Sequence, residues 1–205
     1  MKPPIPKLLL ITDLKVCPNL ERGVAEALAG GAKHILLRIK NHSDSGNLNI
    51  WAKKLHLLTQ KQKAHLLISA DIDVALKFSN VGLHLPQNAM ATIKARELLG
   101  NNRLLGRSCH NLTESLSAIQ EGADYVTLSP LYSTQSHPEA LPLGLQQFNK
   151  IVNKVPGPVL ALGGINSENT TAALKAGAYG VALIRGILSH PSPRDAARNL
   201  LQKIE

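Results

Sequence analysis

Gly157-Pro158-Val159-Leu160-Ala161-Leu162-Gly163-Gly164-Ile165 sets the reading of the whole chain. An apolar run held between a Gly-Pro and a Gly-Gly reads as a strand covered on both faces, as in a parallel sheet. Asn166 or Ser167 then marks a helix start. The same grammar continues downstream, where Gly180–Gly186 reads as a strand. Ser192-Pro193 follows, placing an N-cap before a proline at the first helical position, and a last helix runs through Ala196, Leu200 and Leu201. Upstream, further strands are expected at Asp124–Pro130, Leu104–Cys109, Val81–Pro86, His65–Ala70, His34–Lys40 and Leu8–Asp13, each followed by helical spacing or a helix-start signal. Asn19 is placed to cap a helix that carries Val24 and Leu28 on one face and stops at Gly30-Gly31. Asn111 with Glu114 three residues on has the form of a capping box. Eight β/α units in 205 residues predict an α/β chain folded as a single (β/α)8 TIM barrel, one domain over residues 1–205, in preference to an open doubly wound sheet with fewer strands.

Composition narrows the function classes. Hydrophobic residues make up 44% and charged residues 18% of the chain, the balance of a soluble globular domain rather than a disordered or fibrous one. The apolar run Leu8–Ile11 is far too short for a signal-peptide core or a membrane span, so a soluble, cytoplasmic protein without membrane association is expected. Cys17 and Cys109 have no metal-type spacing and read as reduced thiols. The net charge of +9 comes without a basic run, and aromatic residues amount to only 3%. That pattern argues against nucleic acid and suits an anionic small-molecule partner.

In a barrel of this kind the chemistry sits where strands end and βα loops begin. On strand 2 the period-two pleat places Leu36, Arg38 and Lys40 opposite Leu37 and Ile39, so that the two cations point into the mouth if the apolar pair packs under helices. Arginine offers a fork that matches phosphate oxygens, and lysine a compact charge. Gly163 and Gly164 allow backbone N–H groups to approach an anion beside a helix start, and Arg185-Gly186 after strand 8 adds a cation and another glycine. The segment Ser129 to Pro138 is rich in hydroxyls and carries one imidazole, which makes His137 the best general acid/base candidate in the chain. Ser108 and His110 follow strand 5 and either orient a ligand or start the next helix. His84, within strand 4, reads as lining the core. No P-loop, HExxH or GxSxG motif is present.

Taken in order, Ile11-Thr12-Asp13, Leu37-Arg38-Ile39-Lys40, Gly82 to Gln87, Gly106-Arg107-Ser108-Cys109-His110, Asp124-Tyr125 through Thr134, Ala161 to Ile165 and Gly180-Val181-Ala182 resemble the strand-end motifs of the thiamine phosphate synthase/TenI family along nearly the whole chain. The resemblance implies a (β/α)8 barrel that binds a small phosphorylated thiazole. Synthases of this family join a pyrimidine diphosphate to a thiazole phosphate with magnesium. By this resemblance Arg38, Lys40 and Ser108 match the diphosphate site, Thr134 and Ser136 match the hydroxyl loop, and His137 stands where the family has lysine. Gly164 and the Arg185-Gly186 turn match the phosphate grip, with Arg185 in place of a serine.

Other positions depart from the synthase pattern. Leu36 replaces a pyrimidine-contacting glutamine and has no hydrogen-bonding edge. Ser69-Ala70 replaces an Asn-Asp pair, and the later metal carboxylate falls on Ala89, so magnesium loses both expected ligands. Asp71 lies one residue beyond and compensates only if its loop shifts. TenI-like proteins lack those carboxylates and include thiazole tautomerases. The leading expectation is therefore a metal-independent, TenI-like isomerase without a cofactor, in which His137 moves the proton because the tautomerase's histidine position is Pro130 here. The alternatives are a divergent thiamine phosphate synthase, with magnesium needed only in that case, and a non-catalytic thiazole-phosphate binder. Whether the chain forms a homo-oligomer is left open.

Overall fold

The computed structural model describes residues 2–39, 48–136 and 138–204. Lys40 and His137, both singled out above, lie outside the described residues. Strands and helices alternate: β1 Leu8–Ile11, α1 Leu20–Ala29, β2 His34–Leu37, α2 Leu48–Lys61, β3 His65–Ser69, α3 Ile72–Leu76, β4 Gly82–Leu85, α4 Thr92–Leu99, β5 Leu105–Cys109 and α5 Leu112–Gln120. The series continues with β6 Tyr125–Leu128, α6 Gly144–Val152, β7 Val159–Leu162, α7 Thr170–Lys175, β8 Gly180–Leu183, α8 Arg185–Leu188 and α9 Pro193–Ile204. The eight strands form a closed parallel barrel in sequence order, with β1 paired to both β2 and β8.

Two apolar layers explain why the strand sequences lack simple alternation. Leu8, Leu10, Ile35, Leu37, Val126, Leu128, Val159 and Ala161 pack outward under the helices, whereas Leu9, Ile11, Leu36, Leu67, Tyr125, Leu160 and Ala182 fill the lumen. Both faces of each strand are dry, so both favour apolar side chains. Leu37 lies in the outer layer and Ile39 packs against it, as the pleat of strand 2 required.

The helix signals hold with two adjustments. Asn19 accepts a hydrogen bond from the Arg22 amide at the start of α1, and Ser192 Oγ accepts one from the Asp195 amide at the start of α9. Asn111 likewise caps α5 through the Glu114 amide, but the Glu114 carboxylate reaches back to the amide of His110, not to that of Asn111. Asn166 initiates the turn before α7 by accepting from the amides of Glu168 and Asn169, and the regular helix begins only at Thr170.

Every strand lies within its expected span, and several end sooner than the apolar runs do. Ladder pairing stops at Leu37 on β2, at Leu162 on β7 and at Leu183 on β8. Beyond β7, Gly163 and Gly164 take φ of +96° and +65°, which turns the chain out of the sheet. Arg185 and Gly186, expected as a strand end and turn, instead form the first turn of α8. These ends, together with the loops that follow them, make the rim of the barrel mouth.

Candidate functional site

Arg38 stands just past β2, and register places it beside the end of β1, where Ile11 pairs with Leu36. The Arg38 amide donates to Thr12 Oγ1 at 2.9 Å, and Arg38 Nη1 lies 3.6 Å from Asp13 Oδ2. That separation leaves Nη1 buried with no hydrogen-bond partner among the described residues. Asp13 is itself buried and accepts from the Lys15 amide. Burial pulls the Arg38 pKa below the ordinary guanidinium value, and the neighbouring Asp13 opposes that shift. An arginine always carries charge at neutral pH, so a charged donor stands here beside Asp13 without a hydrogen bond of its own among the described residues. Asp13 belongs to a quoted motif, yet no local pattern marks its pairing with Arg38; the β1–β2 register brings the two together.

Two strands along from β2, His84 on β4 is 3% exposed. Its Nδ1 lies 3.1 Å from Tyr125 Oη on β6, and its Nε2 lies 3.0 Å from Ser108 Oγ on β5. Burial, reinforced by the nearby Arg107, pushes the His84 pKa down to about 3, so the ring is neutral at physiological pH. Gly106 lies between these groups. A Cβ there would overlap both the Tyr125 ring and His84 Nδ1, so a larger residue on β5 would close the gap through which imidazole and phenol meet. Thr127, next to Ser108 in the β5–β6 register, is fully buried, and its hydroxyl has no partner among the described residues. His84 therefore does line the core, as expected, and in addition it holds Ser108.

The rim of β6 to β8 is built around the two glycines. Leu131 N donates to Leu162 O at 2.8 Å and Tyr132 N to Gly163 O at 3.1 Å, which holds the loop after β6 against the Gly163-Gly164 turn. The Ser129-Pro130 bond at the base of that loop is cis. A Cβ on Gly163 would come within 2.7 Å of Pro130 Cα, and one on Gly164 within 2.6 Å of Ser133 O. Gly186 packs against Ile165 O and Asn166, bringing the start of α8 to the same turn. Among the described residues, the amides of Gly163, Gly164 and Gly186 donate to no protein acceptor. Arg185 is exposed, Thr134 and Ser136 are partly buried, and the Ser136 amide bonds weakly to Thr134 Oγ1 at 3.4 Å.

The loops after β3 and β4 carry the other departures. Asp71 is the N-cap of α3, its Oδ1 accepting from the Val74 amide at 2.8 Å. Its Oδ1 is thus engaged at the helix start, and the residue at the expected carboxylate position remains Ala70. Arg107 donates to the carbonyls of Gln87 and Met90, pinning the segment that contains Ala89. Glu114 gathers the Gln87 and Asn111 side-chain amides together with the amide and Nδ1 of His110. His110 is therefore part of the helix-start network, with both its amide and its Nδ1 engaged there. Among the described residues no three His, Cys, Asp or Glu side chains gather as a metal site would require. Cys17 and Cys109 are unpaired thiols, and no described helix is long and apolar enough to cross a membrane.

A family model described as thiamine monophosphate synthase, TMP-TENI, matches residues 8–187. The chain belongs to this family. It is 38% identical over 196 residues to the thiamine-phosphate synthase of Clostridium acetobutylicum, covering 94% of this chain and 92% of the relative. It is 36% identical over 199 residues to the thiamine-phosphate synthase of Pyrococcus furiosus, covering 97% and 95%. The solved thiamine phosphate pyrophosphorylase from Pyrococcus furiosus superposes with a TM-score of 0.87 at 34% identity, over 97% of this chain and 95% of that one. These relatives carry the synthase name, so the comparisons favour coupling over the isomerisation that the sequence put first. Membership in a thiamine-biosynthesis family stands, while the isomerase lean is not supported.

Proposed function

We propose that residues 1–205 form one barrel domain that couples a pyrimidine diphosphate to a thiazole phosphate, a divergent thiamine-phosphate synthase. The carrying observation is a barrel end at which, among the described residues, several donors lack protein acceptors: the Arg38 guanidinium, through its buried Nη1, beside β1 and β2, and the Gly163, Gly164 and Gly186 amides after β7 and β8. Two separated groups of donors suit two anionic groups, a diphosphate near Arg38 and Ser108 and a phosphate at the glycine turn. Lys40, Thr134 and Ser136 are assigned to the diphosphate side, Arg185 to the phosphate side and His110 to the rim.

The chemistry fits that inventory. The thiazole nitrogen forms a bond to the methylene carbon of the pyrimidine, the carbon–oxygen bond breaks, and its electron pair leaves with the diphosphate. No proton has to move in that step. What it demands is stabilisation of charge on the departing oxygens, which preorganised donors provide. Isomerisation, in contrast, needs a placed acid/base. Pro130 occupies the tautomerase histidine's position, and His137 keeps its proton-transfer role only under that second reading.

The residues present do not form a protein-ligated magnesium site, since Ala70 and Ala89 offer no oxygen side chain and Asp71 is used as a cap. No step is assigned to the metal. The missing carboxylates are also the one observation that favours the TenI-like reading. One experiment decides between the two: the purified chain is assayed for pyrimidine–thiazole coupling and for thiazole carboxylate phosphate isomerisation, each with and without magnesium. Coupling with little dependence on added magnesium is expected, with isomerisation at the uncatalysed rate. Isomerisation without coupling would reinstate the tautomerase, and calorimetric binding without either turnover would identify a carrier.

A further inference from the structure

Three residues on neighbouring strands form a line of hydrogen bonds that ends at the mouth: Tyr125 at the inner end, His84 in the middle and Ser108 at the top. The partners of each group fix the direction of that line. Tyr125 is fully buried, and His84 Nδ1 is the sole described hydrogen-bond partner of its hydroxyl. A phenol has one proton to donate, and leaving it unpaired in a dry interior is costly. The Tyr125 O–H therefore donates to Nδ1, which must be the bare, accepting nitrogen. A neutral imidazole then carries its proton on Nε2, and Nε2–H donates to Ser108 Oγ. With its oxygen accepting from below, the serine hydroxyl turns its own proton up into the mouth, where Ser108 is only partly buried.

We propose that Tyr125 and His84 are positioning residues that lock Ser108 as a hydrogen-bond donor toward an anion at the mouth. The inference rests on the anion-binding reading above and deepens it. Were the order reversed, Ser108 would spend its proton on Nε2 and present lone pairs to an anionic ligand, which repels it. The barrel therefore sets the polarity of a hydroxyl that by itself rotates freely. Gly106 is part of the arrangement, since any Cβ at that position would drive the phenol and imidazole apart. Hydrogen-bond chains of this kind also polarise along their length, which strengthens the terminal donor.

The test is spectroscopic. Nitrogen-15 shifts and long-range proton–nitrogen correlations distinguish the Nε2–H from the Nδ1–H form of a histidine. In the wild-type protein His84 is expected wholly as Nε2–H. Tyr125→Phe removes the donor that enforces it, so an Nδ1–H population should appear, and inorganic diphosphate, titrated without metal, should bind roughly three- to tenfold more weakly. Ser108→Ala should leave the tautomer as Nε2–H yet weaken diphosphate roughly ten- to a hundredfold, the usual range for a hydrogen bond to a charged group. An Nδ1–H His84 in the wild type, or a tautomer unmoved by Tyr125→Phe, overturns the proposal whatever binds. If the tautomers behave as expected but diphosphate fails to bind the wild-type protein, the anion reading fails and takes the purpose of the relay with it.

Discussion

Replacing Arg38 with methionine is expected to lower kcat/KM for coupling by roughly a hundredfold and to weaken inorganic diphosphate by roughly ten- to a hundredfold. A hydrogen bond to a charged partner contributes about 1.5–3 kcal/mol, and each 1.4 kcal/mol is about tenfold. Methionine keeps much of the apolar stem and removes both the charge and the fork. The loss should also destabilise the fold by about 1–2 kcal/mol, because the buried carboxylate of Asp13 keeps, among the described residues, only the Lys15 amide as a partner. Arg38→Lys separates the two effects: it restores charge beside Asp13, and with it most of the stability, but not a planar fork. Chemical denaturation and steady-state kinetics on the same preparations check both. Unchanged kinetics in Arg38→Met would remove Arg38 from the site.

Gly163→Ala is expected to be severe in both stability and activity. At φ +96° the added Cβ strains the backbone, at a cost of about 1–3 kcal/mol. It also meets Pro130 Cα at 2.7 Å, and neither backbone segment can yield without breaking the bonds from Leu131 N and Tyr132 N that hold the two loops together. Overpacking of this kind adds a further ~1–3 kcal/mol. A drop of about 3 kcal/mol in unfolding free energy, with loss of measurable thiazole-phosphate binding, is the expected result by denaturation and calorimetry. A variant that folds with normal stability and binds normally would show that this turn neither needs glycine nor shapes the site.

The strands were legible because burial on both faces leaves continuous apolar runs, such as Leu8–Ile11 and Val159–Leu162, that little else in a soluble chain produces. The helix starts were legible because Asn19, Asn111 and Ser192 make local bonds within three residues. Strand ends were overextended, since an apolar residue reads the same whether its amide is in the ladder or has left it. At the proposed site, residues whose assigned role depends on their own strand stand out in the sequence: Arg38 by the pleat and Gly163-Gly164 by their place after an apolar run. Residues whose role depends on a neighbouring strand were not. Asp13 meets Arg38 across 25 positions, and His84 meets Tyr125 across 41 and Ser108 across 24, so no local pattern carries these pairings. Asp71, expected to replace the absent carboxylate only if its loop shifted, instead satisfies an amide three residues away, a purely local use.

The most direct measurement of the central claim is a titration of the nitrogen-15-labelled protein with hydroxyethylthiazole phosphate, following backbone amides. The account predicts large, saturable downfield proton shifts for Gly163, Gly164 and Gly186, the shift expected when an N–H begins donating to a phosphate oxygen, with little change at the opposite end of the barrel. Binding that leaves those three amides unmoved and perturbs another surface would contradict it.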